Sequence, residues 1–126
     1  MFGLVTAVRA TLAHLPANDF RRAMRLQAGC NTHHERIPAG AFLLSIQCSR
    51  GHYCEPRRDG LSLDCYSEFE VGVFHANGTW ATVAELTTLG VPDPVRFNGL
   101  GNASTAGLTY ASTASVQALY DFLRSL

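Results

Sequence analysis

The chain has 126 residues, 47% hydrophobic, 16% charged and 10% aromatic, which is enough apolar material for one compact domain and too much for a disordered segment. Ten acidic residues balance ten basic ones, excluding both a globally basic nucleic-acid binder and a strongly acidic DNA mimic. All the basic residues are Arg, unevenly placed: residues 1–58 carry eight Arg against three acids (net +5), and residues 59–126 carry two Arg against seven acids (net −5).

Leu4, Val5, Val8, Leu12 and Leu15 recur at helical spacing and predict a first helix, with Arg9 on its other side. Arg9 interrupts the apolar run, so the segment does not read as a signal peptide, and no window reaches the ~18 to 20 apolar residues of a bilayer span. A cytoplasmic protein with free thiols and no membrane contact is the expectation. Beyond Pro16, a second helical run extends from Ala17 or Asn18 to Gln27, with Phe20, Ala23, Met24 and Gln27 on one face and Gly29 as its stop.

Residues 30–40 contain Pro38 and many polar side chains and predict a loop. Ala41 to Ser49 alternates cleanly, placing Phe42, Leu44, Ile46 and Cys48 on one face of a strand. After the charged loop 50–60, Leu63 to Phe74 predicts a second strand with Leu63, Cys65, Phe69, Val71 and Val73 inward. Asn77-Gly78 suits a two-residue type I′ turn, which would set Ala76 opposite Thr79 and His75 opposite Trp80. Val83 to Leu89 predicts a short helix stopped by Gly90, residues 90–107 a loop, and Leu108 to Ala111 a last short strand. Ser112 or Thr113 then caps a helix through Leu126, with Val116, Leu119, Tyr120 and Leu123 on its apolar face. The expected fold is one α+β domain over residues 1–126: an antiparallel sheet of three or four strands with N-terminal and C-terminal helices packed on one face.

Two surface constellations carry binding chemistry. Asp64, Glu68 and Glu70, with Tyr66 between them, share the outward face of the second predicted strand. Their spacing of about 6.6 Å makes a negative stripe resembling neighbouring phosphates of a nucleic-acid strand. Arg57 and Tyr53 in the preceding loop are expected as neighbouring anchors. An alternative is a small nucleic-acid-binding module using Arg36, Arg50, Tyr53, Arg57 and Arg58.

A zinc-stabilised module is a further alternative. Cys30-x2-His33 and Cys48-x3-His52-x-Cys54, with Cys65 further on, offer ligand types but no paired C-x2-C knuckle, so core thiols and no metal are expected. Catalytic motifs are also lacking. His52 and Cys54 have no third orienting group, His33-His34-Glu35 lacks the H-E-x-x-H pattern, and Gly99-Leu-Gly101 lacks the flanking strand and helix of a phosphate turn. A non-enzymatic protein without cofactor is expected.

The stretches His34-Glu-Arg-Ile-Pro38, Leu43-Leu-Ser-Ile-Gln47, His52-Tyr-Cys-x-Pro-Arg57 and Tyr66-Ser-x-Phe-Glu-Val71 together resemble small proteins encoded by phages and prophages of GC-rich proteobacteria, among them anti-CRISPR proteins. The resemblance covers roughly residues 30–75. It implies a stoichiometric inhibitor that binds a CRISPR effector subunit or another defence protein and blocks nucleic-acid or nuclease engagement, and it carries no catalytic residues.

Overall fold

The computed structural model of the protein describes residues 12–93, 95–98, 100 and 104–126. Four strands, β1 (Ile37–Ala39), β2 (Phe42–Gln47), β3 (Glu68–His75) and β4 (Gly107–Ser112), form one antiparallel sheet in the order β1-β2-β3-β4. Two α-helices follow β3 in the chain: α1 (Val83–Leu89) and α2 (Thr113–Ser125).

The alternation of β2 continues across the sheet. Leu44 pairs with Ile37 and Val73, and Ile46 with Val71, which itself lies opposite Leu108, so these residues share one apolar face. Helix α2 covers that face with Val116, Leu119, Tyr120 and Leu123, all buried as the helical spacing predicts. Ser112 starts this helix by accepting the Ser115 N–H. Helix α1 begins on a Thr82–Glu85 capping box, where each side chain satisfies the other's backbone N–H, and it stops at Gly90 in the left-handed region. Both helices match the sequence expectation because their start and stop signals are local.

The N-terminal expectations fare differently. The run from Leu4 lies largely outside the described residues. The run from Ala17 to Gln27 is not a helix; it holds only the 3-10 turn Phe20–Arg22. Asp19 binds both the backbone N–H and the guanidinium of Arg21, at 2.8–2.9 Å. Residues 25–27 spend their backbone on a small ladder instead: Glu35 N–H reaches Arg25 O, Gln27 N–H reaches His33 O, and Leu26 bridges His34. Phe20 still enters the core, edge-on to Phe69 at 5.3 Å. Gln117 on α2 fastens this segment, accepting the Phe20 N–H and donating to Asn18 O.

Three further corrections concern the sheet. Residues 37–39, expected in a loop because of Pro38, form β1; proline is tolerated there because β1 is an edge strand. The second strand starts at Glu68 rather than Leu63, since Leu63–Cys65 makes a 3-10 turn in which Ser62 Oγ donates to Asp64. Residues 63–67 therefore do not alternate inward and outward: Cys65 is exposed and Tyr66 is buried. The hairpin at Asn77-Gly78 exists, but Phe74 pairs with Trp80 and His75 N–H reaches Thr79 O. Its loop thus has three residues with Gly78 alone at positive φ, the geometry of a type I turn closed by a glycine bulge.

The sheet's second face is covered at one end by aromatic rings. Trp80 packs on Phe74 at 4.3 Å, and both crowd Gly72, where any Cβ would approach the rings to about 3.0 Å. The Arg36 guanidinium lies 3.7 Å from the Phe74 ring centre.

Gly40 opens the two-residue Gly40-Ala41 loop between β1 and β2 with φ 61°. A Cβ there would overlap the Leu123 carbonyl of α2, whereas Gly29, also at positive φ, has open space around it. Gly29→Ala is therefore expected to cost about 1–2 kcal/mol from backbone conformation alone. Gly40→Ala should exceed about 3 kcal/mol, because hairpin and helix must separate. Equal losses in urea denaturation would refute this docking of hairpin on helix.

Candidate functional site

The opposite end of the second face carries polar groups. Gln47, the last residue of β2, is buried and holds the backbone of His34 from both sides, accepting its N–H at 2.8 Å and donating to its carbonyl at 2.9 Å. This places His33 and His34 beside the loop that follows β2. In that loop Ser49 Oγ accepts the Gly51 N–H and lies 2.7 Å from His52 Nδ1. The imidazole is thereby oriented with Nε2 toward Glu70 of β3, 3.8 Å away. His33 packs edge-on against His52, ring centres 4.8 Å apart.

Burial lowers the proton affinity of both inner histidines, and the neighbouring imidazoles act the same way. Burial pushes the Glu70 carboxyl up, against the Tyr53 backbone N–H, which pulls it down. Both members of the His52–Glu70 contact are thus biased toward neutrality, and 3.8 Å is beyond hydrogen-bond length. It is a packed polar contact and not a strong ion pair. His34 Nδ1 is buried without a hydrogen-bond partner among the described residues. Ser49, His52 and Glu70 follow the order of a hydrolytic triad, but Ser49 is only 3% exposed and its hydroxyl is engaged by Gly51 and His52.

Beside this cluster lies an exposed aromatic pair. Tyr53 and Tyr110 are 47% and 44% exposed, with ring centres 6.0 Å apart, and the Arg57 guanidinium lies 5.4 Å from the Tyr53 ring. Tyr110 sits in a bulge of β4, since Phe69 pairs with Ala111 while Val71 pairs with Leu108. It is the one non-glycine residue at positive φ (51°) among the described residues. Such a backbone costs on the order of 1–3 kcal/mol and persists only where its surroundings dictate it. Here Tyr53 O accepts the Tyr110 N–H at 3.0 Å, and the Asn98 amide binds both backbone groups of Thr109.

The expected acidic stripe does not form one row. Asp64 lies on the 3-10 turn before β3, and Glu70 turns into the histidine cluster. Tyr66 is 3% exposed and donates its hydroxyl to Arg58 O, so it is a core residue and not a contact residue. Glu68 stays half-exposed on β3. Of the loop residues, Tyr53 and Arg57 are brought together at the surface, whereas Arg36 is drawn to Phe74 and Arg50 uses its backbone N–H on Asp59. Tyr110 escapes sequence reading: only the bulge turns its position into a partner of Tyr53.

Of the candidate zinc ligands, Cys30 and His33 stay close, with Nδ1 3.8 Å from Sγ, while the other cysteines lie apart from them. Cys48 and Cys54 are buried, with Cys54 Sγ donating to Ser49 O and Pro56 O, while Cys65 is exposed elsewhere. Among the described residues no three His, Cys, Asp or Glu side chains converge as a metal set. No helix among them is long and apolar enough to cross a membrane.

His34 and His52 keep lowered proton affinity in the fold, so unfolding takes up protons below their ordinary value of 6.5. Stability is then full above that value and falls as the pH drops through it. Glu70, shifted upward, works in the opposite sense, losing its contribution as pH rises above its ordinary 4.5. The expected result is lower urea stability at roughly pH 5.5 than at roughly pH 7.5, with a smaller difference in His34→Gln. An unchanged difference in that variant would remove His34 from the account.

Comparison with known proteins finds no matching family model, no similar curated protein and no similar solved structure.

Proposed function

We propose that this protein is a stoichiometric binding protein, an inhibitor of the anti-CRISPR type, that contacts its target through Tyr53, Tyr110 and Arg57 and uses no cofactor. The observation that carries the reading is the exposed tyrosine pair, of which Tyr110 sits on a strained, over-determined bulge. Tyr and Arg dominate binding hot spots because they offer large, rigid contact area with a polar end. A backbone held at cost to present one such ring fits a recognition surface better than solvent-facing decoration. The phage origin and the CRISPR effector subunit as target enter from the resemblance of residues 30–75, and occlusion of a nucleic-acid or nuclease-docking surface is the mode of action that follows. Asp64 and Glu68 remain in the proposal as steering charges, which affect association rate more than affinity.

The test is affinity capture with a type I CRISPR effector, followed by titration of variants. Tyr110→Gly is the informative one, because glycine accepts the φ of 51° without strain and the fold is kept. It is expected to melt at or above the wild-type temperature and to weaken binding about tenfold or more, as should Tyr53→Ala. Full binding by the double variant would discard the patch, and failure to capture any effector subunit would discard the inhibitor. Retardation of nucleic acid at low salt, lost steeply as salt rises, would shift the reading to the Arg loop instead.

A further inference from the structure

Among the described residues, the arginines are engaged everywhere but in one loop. Arg21 pairs with Asp19, and Arg96 lies 3.4 Å from Asp93. Arg22 and Arg25 donate to backbone carbonyls, while Arg36 and Arg124 lie over the rings of Phe74 and Tyr120. Arg50, Arg57 and Arg58 differ. All three are exposed, and among the described residues none of their guanidinium groups donates to a carboxylate or a carbonyl.

The loop that carries them is closed at its base by backbone contacts. The Asp59 carboxylate accepts the Arg50 N–H at 2.9 Å, and the Arg58 carbonyl accepts the Tyr66 hydroxyl. Arg50 is thereby tied to the stretch that holds Arg57 and Arg58, and the Arg57 guanidinium lies 5.4 Å from the Tyr53 ring. Unpaired positive charge thus reaches the margin of the exposed Tyr53–Tyr110 pair.

Two features select the kind of anion. Residues 50–59 hold three Arg against Glu55 and Asp59, a net of only +1, and the Glu55–Glu68 bridge sets two acidic residues opposite each other. A phosphodiester strand, charged at every nucleotide, would be repelled there. Tyr53 is also poorly placed to stack a base, since Arg57 lies over its ring and Tyr110 packs beside it, inclined by 54°. Discrete carboxylates gripped by guanidinium forks, with apolar surface against the rings, meet both constraints.

We propose that Arg50, Arg57 and Arg58 bind an acidic protein segment whose Asp or Glu side chains flank an aromatic residue seated on Tyr53 and Tyr110. The inference rests on the reading of Tyr53, Tyr110 and Arg57 as the contact surface. None of the three guanidinium groups has an ionic partner in the fold to give up, so each can take a carboxylate without breaking an internal ion pair.

The experiment is fluorescence anisotropy of the whole protein with short labelled peptides and a single-stranded oligonucleotide, at low and at high salt. One peptide alternates Glu with Phe, and a second has Gln in place of every Glu. The Glu peptide is expected to bind about tenfold tighter than the Gln peptide and to lose that advantage as salt rises. The triple variant Arg50→Gln, Arg57→Gln, Arg58→Gln should abolish the preference, and Glu55→Gln should tighten binding of the Glu peptide severalfold. The contacts that shape the loop at Arg50, Glu55 and Arg58 use backbone groups of those residues, so unchanged melting temperatures are expected. If the triple variant unfolds, the wild-type peptide ratio and Glu55→Gln decide alone. Equal binding of the two peptides, binding of neither, or tighter binding of the oligonucleotide would overturn the proposal. Effector capture by the same triple variant separates the two readings. Capture that survives it but is lost in Tyr53→Ala retires the acidic partner alone, and peptide binding without effector capture retires the inhibitor alone.

Discussion

The central strand has to be covered twice. In β3, Val71, Gly72, Val73 and Phe74 are buried in succession, so neither side of the sheet is free to face water there. One side is closed by α2 through four apolar residues at helical spacing. Among the described residues the other is closed piecemeal: Trp80 and Phe74 over Gly72 at one end, and Gln47, His34, His52 and Glu70 at the other. A glycine in mid-strand is the condition for the first solution, since a Cβ at Gly72 would come within about 3.0 Å of both rings. The polar end is the second solution, and every group in it must find a partner or lose its charge.

That requirement links the fold to the candidate surface. His52 and Tyr53 are adjacent, one facing inward and the other outward, so the orientation of the imidazole sets the position of the exposed ring. The Tyr53 carbonyl then captures the Tyr110 amide and holds the β4 bulge at its unusual φ. The buried histidines and the exposed tyrosines are therefore two sides of one short loop. Cys30 belongs to the same neighbourhood through His33, whose Nδ1 lies 3.8 Å from its sulfur and whose ring packs edge-on against His52.

Much of the fold was legible where the signals are local. The capping box at Thr82, the glycine at 90, the apolar spacing of α2 and the alternation of β2 each state within a few residues what the structure adopts. The misreadings share a cause, which is competition from a distant partner or from a side chain. Phe20, Ala23 and Met24 have helical spacing, yet the backbone of residues 25–27 is claimed by residues 33–35. Leu63 and Cys65 alternate, but Tyr66 buries its ring beside Phe69 and reaches back to Arg58, which breaks the strand. Pro38 pointed away from a strand because its missing donor matters only in a central position. The site follows the same rule: Tyr53 and Arg57 were legible as loop residues close in sequence, while Tyr110 depended on a bulge, and Glu70 was drawn inward by a histidine that no local pattern ties to it.

The outer rims of the sheet limit how anything can be recognised. On one rim, β1 is three residues long and its middle residue, Pro38, has no amide proton to offer. On the other, the backbone groups of Thr109 are taken by the Asn98 side chain and the amide of Tyr110 by Tyr53. Among the described residues both rims thus offer few free backbone donors, which disfavours growth of the sheet by β-augmentation. These rims therefore favour contacts made by side chains over contacts made by the peptide ladder.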